Sequence, residues 1–286
     1  MFDTAIIGTG PAGLSAALTL KMRGKEIIWF GSDRFSDKIE RSEKIGNYPG
    51  LRLISGSELN ERFRAQAKDM GLAVTDKMVT QINRMKRHFM LLADNELYEA
   101  KMVLLCTGVV TAKTISGEER LLGRGVSYCA TCDGMFYKGK TIAVYCGAKR
   151  YEHEVKYLSG MAGKVYLLPG YRDCDVEAEN IERLSSPIHE ILGDRRVSAI
   201  RLNSGEEIPV DGVFCLRSAI APATLLPGLV LDGPHIAVDQ RMATNIPGCY
   251  AAGDCTGAPD QIAKAVGEGN VAAHAIMDDL AETEEK

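Results

Sequence analysis

The sequence predicts an α/β protein of two doubly wound, Rossmann-like domains, the second inserted into the first. Three observations predict it. Gly8-Thr9-Gly10-Pro11-Ala12-Gly13 joins an apolar strand to a helix. A second strand–turn–helix begins at Thr141. A late apolar strand, Cys249 to Ala252, ends in Gly253-Asp254 and precedes a long helix. Strands alternating with helices build parallel sheets with helical crossovers. If the late strand returns to the first sheet, the first domain is discontinuous. It then comprises residues 1–111 and 236–286, and the inserted domain 112–235. The 286 residues suit this division, since domains run to roughly 150 residues.

The elements follow in order. Strand Thr4–Gly8, helix Pro11–Met22 and strand Glu26–Phe30 make the first βαβ unit. Leu59–Met70 reads as an amphipathic helix, with Leu59, Phe63, Ala67 and Met70 on one face. Val74–Ile82, His88–Leu92 and Met102–Cys106 read as strands. The second unit runs through strand Thr141–Tyr145, helix Tyr151–Met161 and strand Lys164–Leu168. Val197–Leu202 and Glu207–Val210 form a hairpin around Asn203-Ser204-Gly205, and Val213–Leu216 is a further strand. Pro222, Pro227 and Pro234 punctuate the exit from this region. A helix from Gln261 to Leu280 closes the chain.

Composition narrows the function. An apolar share of 45% and a charged share of 25% are those of a globular protein. No stretch approaches the ~18 consecutive apolar residues of a membrane span. Met1-Phe2-Asp3-Thr4 enters a strand at once, without the basic and apolar regions of an export signal. With eight cysteines and no such signal, reduced thiols in a cytoplasm are expected. The net charge of −4 resides in the last ten residues, which hold five acids and one base. No basic run is interleaved with aromatics, so nucleic acid is not an expected partner.

The glycines at 8, 10 and 13 each have a task. The first makes the tight turn, the second lets backbone approach a pyrophosphate, and the third lets helix and strand pack closely. The helix N-terminus offers free amides and a favourable dipole to the phosphates. Pro11 and Ala12 complete the turn, and Ser32 or Asp33, after the second strand, is placed for the adenosine ribose. The second turn is degraded: strand Ile142–Tyr145 runs into Cys146-Gly147-Ala148-Lys149-Arg150-Tyr151.

Cys129-Ala130-Thr131-Cys132 could be half a zinc site or a redox pair. Structural zinc needs four ligands, and no second spaced pair exists. Cys106, Cys146, Cys174, Cys215, Cys249 and Cys255 are isolated, mostly in apolar strands, and read as small buried residues. An iron–sulfur cluster fails for the same lack of ligands. A redox dithiol is favoured and no metal is expected. Asp133, next in sequence, is a carboxylate able to carry protons for a thiol.

Val126-Ser127-Tyr128-Cys129-Ala130-Thr131-Cys132-Asp133-Gly134 resembles the active-site segment of low-molecular-weight thioredoxin reductases, which are flavoproteins. Asn47-Tyr48-Pro49-Gly50, Cys106-Thr107-Gly108, Tyr250-Ala251-Ala252-Gly253-Asp254 and Gln261-Ile262 match further motifs of that family, so the likeness spans nearly the whole chain. The resemblance implies FAD held by Gly8, Gly10, Pro11, Ala12 and Gly13, with Asp33, Val79, Thr107 and Gly108 around it. It places Asp254, after Gly253, at the ribityl or phosphate region, Asn47 by the isoalloxazine, and Gln261 and Ile262 beside them. It makes Cys132 the thiol nearest the flavin, Cys129 the thiol that attacks a thioredoxin disulfide, and Asp133 the acid/base. Homodimers are common in the family.

Two departures matter. Where the family usually has Gly-Gly-Gln-Leu, this chain has Ser36-Asp37-Lys38-Ile39, which puts Lys38 toward the FAD. The family's NADPH turn is replaced by Cys146 to Tyr151, and its His-Arg-Arg by the uncharged Pro169-Gly170-Tyr171. Both the pyrophosphate seat and the 2′-phosphate clamp are therefore missing. This pattern is similar to the ferredoxin-dependent flavin thioredoxin reductases. Diflavin-linked disulfide oxidoreductases share the loss, and an atypical NADPH-dependent enzyme or a flavin-bearing redox sensor are further alternatives.

A ferredoxin donor is energetically sufficient. Plant-type ferredoxins lie near −400 mV and thioredoxin near −270 mV, so two electrons release about 6 kcal/mol. Ferredoxins are usually acidic. Lys21-Arg23-Lys25, Arg84-Lys86-Arg87 and Lys149-Arg150 are the basic candidates for docking one.

Overall fold

The computed structural model describes residues 1–94, 96–108, 115–128, 130–217 and 221–284. The chain divides into two compact units, Met1–Val110 with Pro222–Lys286, and Thr111–Ala221.

In the first unit, β1 (Phe2–Ile7), α1 (Pro11–Met22) and β2 (Ile27–Phe30) form the expected βαβ. They are followed by α2 (Asp37–Glu40), α3 (Gly56–Asp69), β3 (Val74–Thr75), β4 (Val79–Arg84), β5 (Phe89–Ala93) and β6 (Glu96–Leu105). The strands join in the order β3-β2-β1-β6-β5-β4. The long β6 has two halves. Its first half pairs antiparallel with β5, Ala93 opposite Glu96. Its second half pairs parallel with β1, Ile7 opposite Leu105.

The expected single strand Val74–Ile82 is two strands. β3 pairs parallel with β2, whereas β4 pairs antiparallel with β5. The chain turns between them, with the Lys77 amide donating to the Thr75 carbonyl at 2.7 Å. From Thr75 to Val79 the chain spans at most about 14 Å. The outer strands of a flat six-strand sheet would stand about 24 Å apart. The β4–β5–β6 meander therefore curls back over the parallel layer. Asp76 and Lys77 sit at the turn, but a polar pair within a strand pattern does not by itself report a change of layer.

The second unit contains α4 (Glu118–Leu121), β7 (Val126–Ser127), α5 (Ala130–Asp133), β8 (Thr141–Cys146), α6 (Glu152–Ser159) and β9 (Lys164–Pro169). Then come β10 (Ile181–Arg183), β11 (Ile188–Leu192), β12 (Ala199–Leu202), β13 (Glu207–Pro209) and β14 (Gly212–Leu216). A parallel sheet runs β10-β9-β8-β14-β7, and β11-β12-β13 form an antiparallel one. The helix expected over Tyr151–Met161 starts with a 3-10 turn at Lys149–Tyr151 and is α-helical from Glu152.

The chain re-enters the first unit with α7 (Pro222–Leu225), the hairpin β15 (Leu231–Asp232) and β16 (His235–Ile236), then β17 (Cys249–Ala251) and α8 (Ile262–Glu284). Residues 222–235, expected in the inserted domain, thus group with the first unit. α7 packs on β4, and Leu225 and Leu226 are buried. The prolines mark a break in the chain but not which core receives the residues after it. β17 pairs parallel with the end of β6, Ala251 opposite Leu105. α8 packs along α1, with Ser15 Oγ donating to the Val266 carbonyl at 2.8 Å. Among the described residues no helix is long and apolar enough to cross a membrane.

Candidate functional site

In the first unit most of the expected cofactor residues gather at the carboxyl ends of parallel strands β1, β2, β6 and β17. That is where open α/β sheets bind ligands. Gly8 has φ of 119°, and a Cβ there would stand 2.1 Å from the Cys106 carbonyl oxygen. A Cβ on Gly13 would lie 2.0 Å from the Gly8 carbonyl oxygen. At Gly10 a Cβ would meet no protein atom within 4 Å, so open space faces the backbone there. Pro11 is the first residue of α1, which has no side-chain cap and no acid in its first turn. Its leading amides are left for an anion. Ala12 packs under α8, where a Cβ on Gly269 would stand 2.2 Å from the Ala12 carbonyl oxygen.

Residues not singled out from the sequence hold this turn. Trp29 Nε1 donates to the Gly8 carbonyl at 2.8 Å. Thr9 Oγ1 donates to the Ser32 carbonyl at 2.9 Å, tying the turn to the loop that carries exposed Asp33. A lone Trp on an apolar strand carries no local sign of such a role.

Thr107 and Gly108 follow β6 beside the glycine turn, and the Thr107 hydroxyl is buried beside the Cys255 thiol. Gly253 and Asp254 follow β17. Glu268 accepts hydrogen bonds from the Gly253 amide at 2.8 Å and the Thr256 hydroxyl at 2.9 Å. Lys264 donates to the Gly253 and Gly257 carbonyls at 2.9 and 2.6 Å. This pair from α8 staples the Gly253–Gly257 turn. It too escaped the sequence reading, because an i,i+4 Lys–Glu pair is usually a surface feature.

Two contacts bind the loop after β2 to the segment after β17. Lys38 Nζ donates to Asp254 and Asp260, each at 2.8 Å. Partial burial works against the Lys38 charge, but the two carboxylates outweigh it and raise its pKa. Asn47 Nδ2 donates to Gln261 Oε1 at 2.7 Å. Asn60, fully buried, donates to the Ser36 carbonyl and Glu40 and so fixes the short helix that carries Lys38. Ile262 packs against the core at the start of α8, so its side chain serves packing there. Val79 is buried at the start of β4.

In the second unit, Cys129 and the side chain of Cys132 lie outside the described residues. Cys132 belongs to α5, which packs against α6. Asp133, partly exposed, follows it and begins a 3-10 turn, Gly134–Tyr137. Burial, then the Asp133 charge, raises the pKa of Tyr137. The other six cysteines are free and buried. Burial pushes Cys146 and Cys255 up to about 11 and Cys249 up to about 12, so these thiols stay neutral. Among the described residues no group of three His, Cys, Asp or Glu could hold a metal ion.

The second turn differs from the first in its side chains. The buried Cys146 thiol donates to the Ala148 carbonyl at 3.5 Å. Tyr151 is buried at the close-packing position, and Arg150 donates to its hydroxyl at 2.9 Å while lying 4.9 Å from its ring centre. α6 opens with two acids, Glu152 and Glu154. Glu152 accepts from the Tyr171 hydroxyl at 2.5 Å and from the Asp175 amide at 3.3 Å. The Tyr171 bond holds the Glu152 carboxyl below its ordinary range. After β9, a Cβ on Gly170 would stand 2.5 Å from the Tyr145 hydroxyl, which lies over that position.

Comparison with known proteins matches these features. The family model for pyridine nucleotide-disulphide oxidoreductases matches residues 2–148 and 176–269. A thioredoxin reductase of Helicobacter pylori is 33% identical over 305 aligned positions, covering 97% of this chain and 98% of the relative. The chain belongs to the low-molecular-weight thioredoxin reductase family. It is accordingly an FAD-binding flavoprotein and an oxidoreductase acting on disulfides. Among solved structures it is similar to a ferredoxin-flavin thioredoxin reductase of Clostridium acetobutylicum, with TM-score 0.91, 42% identity, and coverage of 100% and 99%. A thioredoxin reductase of Gloeobacter violaceus gives TM-score 0.79 at 26% identity, with coverage of 98% and 94%.

The first unit of this thioredoxin reductase relative fits FAD: a bare backbone at Gly10 and unused helix amides lie at the cofactor end of the sheet. The second unit does not fit a pyridine dinucleotide. An ionised Glu152 stands at the helix start, where a pyrophosphate would meet like charge, and tyrosines occupy the turn.

Proposed function

We propose that this chain reduces thioredoxin through Cys129 and Cys132 with electrons from reduced ferredoxin, not from NADPH. The observation that carries it is the second nucleotide turn, filled by Tyr145, Tyr151 and Tyr171 and headed by Glu152. Similarity to the ferredoxin-flavin enzyme of Clostridium acetobutylicum supports the same donor. The unit Thr111–Ala221 is then a dithiol unit whose nucleotide seat has been closed.

FAD, when bound, accepts electrons singly and passes them on in pairs. The dithiol does the rest. The Cys129 thiolate attacks one sulfur of the thioredoxin disulfide, forming a mixed disulfide and releasing one thioredoxin thiolate. The Cys132 thiolate then attacks Cys129 sulfur, closing Cys129–Cys132 and releasing the second. Two electrons and two protons pass to thioredoxin, with the proton transfer assigned to Asp133, the carboxylate next in sequence. Met135 and Phe136, 61% and 70% exposed just beyond the dithiol, offer an apolar face to the partner. Of the basic stretches, Arg84 is engaged with the Pro247 and His88 carbonyls and Arg150 with Tyr151, and the dock for an acidic donor is assigned to Lys21-Arg23-Lys25. The reading includes a homodimer working in the cytoplasm, where the six buried thiols stay reduced.

Anaerobic mixing of the yellow protein with NADPH, then with reduced ferredoxin, tests the donor. Flavin bleaching is expected only in the second step. Bleaching by NADPH overturns the reading, and bleaching by neither favours a second flavin or a sensor.

A further inference from the structure

A buried ion pair in the second unit has no part in the chemistry above. Arg217 Nη2 donates to Glu118 Oε2 at 2.8 Å, with the side chains 6% and 1% exposed. Glu118 Oε2 also accepts from the Ile115 amide at 2.8 Å, and Glu118 Oε1 accepts from the Tyr128 hydroxyl at 2.8 Å. Arg217 lies 5.2 Å from the ring centre of Tyr145. Burial, then the Glu118 charge, raises the Tyr128 pKa, so the phenol stays a donor.

Placement gives this cluster its meaning. Tyr128 is the residue before Cys129. Its strand β7 pairs with β14, Ser127 opposite Phe214, and Arg217 leaves the end of β14. Among the described residues the pairing covers Val126 and Ser127, one residue before Tyr128. The hydroxyl of Tyr128 carries the restraint onward to the threshold of the dithiol. Buried ion pairs are seldom better for stability than apolar residues of the same volume, so stability alone does not account for the cluster.

We propose that Glu118 and Arg217 are positioning residues: through Tyr128 they fix the main chain entering Cys129 and so favour closure of the Cys129–Cys132 disulfide. This rests on the reading of that pair as the redox dithiol. Pre-ordering one arm of a ring lowers the entropy lost on closing it.

Tyr128→Phe tests it, because Glu118 keeps its bonds to Arg217 and Ile115. Tyr171→Phe is the control: it removes a tyrosine–carboxylate bond belonging to the other hydrophobic core of the same unit. The FAD-bound proteins are equilibrated anaerobically in dithiothreitol redox buffers, and the state of Cys129 and Cys132 is read by alkylation and mass. Loss of a hydrogen bond to a charged group should lower the closure constant of Tyr128→Phe about tenfold, with Tyr171→Phe unchanged. A Tyr128→Phe constant equal to wild type, or an equal fall in the control, overturns the positioning role. Absence of a Cys129–Cys132 disulfide in wild type under every buffer overturns the functional reading, and this inference with it.

Discussion

Gly10 and Gly13 look equivalent in the sequence motif, yet their surroundings predict opposite consequences for alanine. A Cβ at Gly13 would stand 2.0 Å from the Gly8 carbonyl oxygen and 3.3 Å from Trp29 Nε1. Relief to ordinary contact requires α1 to move from β1 by about 1.4 Å, an overpacking that costs at least 1–3 kcal/mol. At Gly10 a Cβ meets nothing within 4 Å, and φ is −72°, which alanine adopts freely. The small N-cap cost of alanine and the gain from a stiffer unfolded chain nearly cancel, to within about 1 kcal/mol. On the assignment of Gly10 to the FAD pyrophosphate, that Cβ would nevertheless stand where the cofactor approaches backbone. Losing one charge-assisted bond there is worth about 1.5–3 kcal/mol, or roughly 10- to 100-fold in Kd. Gly13→Ala should therefore lower the melting temperature of the FAD-free protein by about 2–4 °C for each kcal/mol. Gly10→Ala should leave it unchanged and weaken FAD, measured by quenching of free FAD fluorescence. A Gly10→Ala protein that binds FAD as wild type does would refute this assignment of the pyrophosphate seat.

Two more predictions follow from single side chains. Glu268→Ala should destabilise the protein by about 2–3 kcal/mol in urea unfolding, because it strips the Gly253 amide of its acceptor and leaves Lys264 without its carboxylate; a change below about 0.5 kcal/mol would show that the staple is dispensable. At Asp3, burial opposes the charge, but hydrogen bonds from Lys101 and the Glu26 amide prevail and hold the pKa below 3.8. Its stabilising contribution is therefore complete above the unfolded pKa near 3.8 and lost as pH falls through the lower folded value, so Asp3→Asn should flatten the acid limb of a stability–pH curve, and an unaltered limb would discount the pair.

The parts of the fold legible from sequence are those encoded over a few neighbouring residues. The run Thr4–Ile7, the glycines that follow and the helix from Pro11 carry their own periodicity and turn chemistry. The β8–α6–β9 unit does so too. The Cys129–Cys132 pair stands out in the sequence because two cysteines three residues apart have few other uses. Less was visible where partners are distant in the chain. Trp29 gave no sign that its indole holds the Gly8 carbonyl, nor Glu118 that its partner is Arg217. The split between β3 and β4 was hidden because Val74, Val79 and Ile82 read as one β-rich run across Asp76-Lys77.

By itself, the sequence determined that one dinucleotide turn is intact, that a second has lost its small residues, and that a lone cysteine pair lies between them. Side-chain size and local backbone preference suffice for those statements. Only tertiary structure decided what became of the second turn. Cys146 to Tyr151 says that glycines are gone, but Tyr145 comes to lie over Gly170 and Tyr171 to bond Glu152 only because β8 and β9 run side by side. The same holds for Lys38, which meets Asp254 across 216 residues of chain. Such contacts depend on where a strand returns in the sheet, and that is fixed by burial of the whole core and not by the residues beside it.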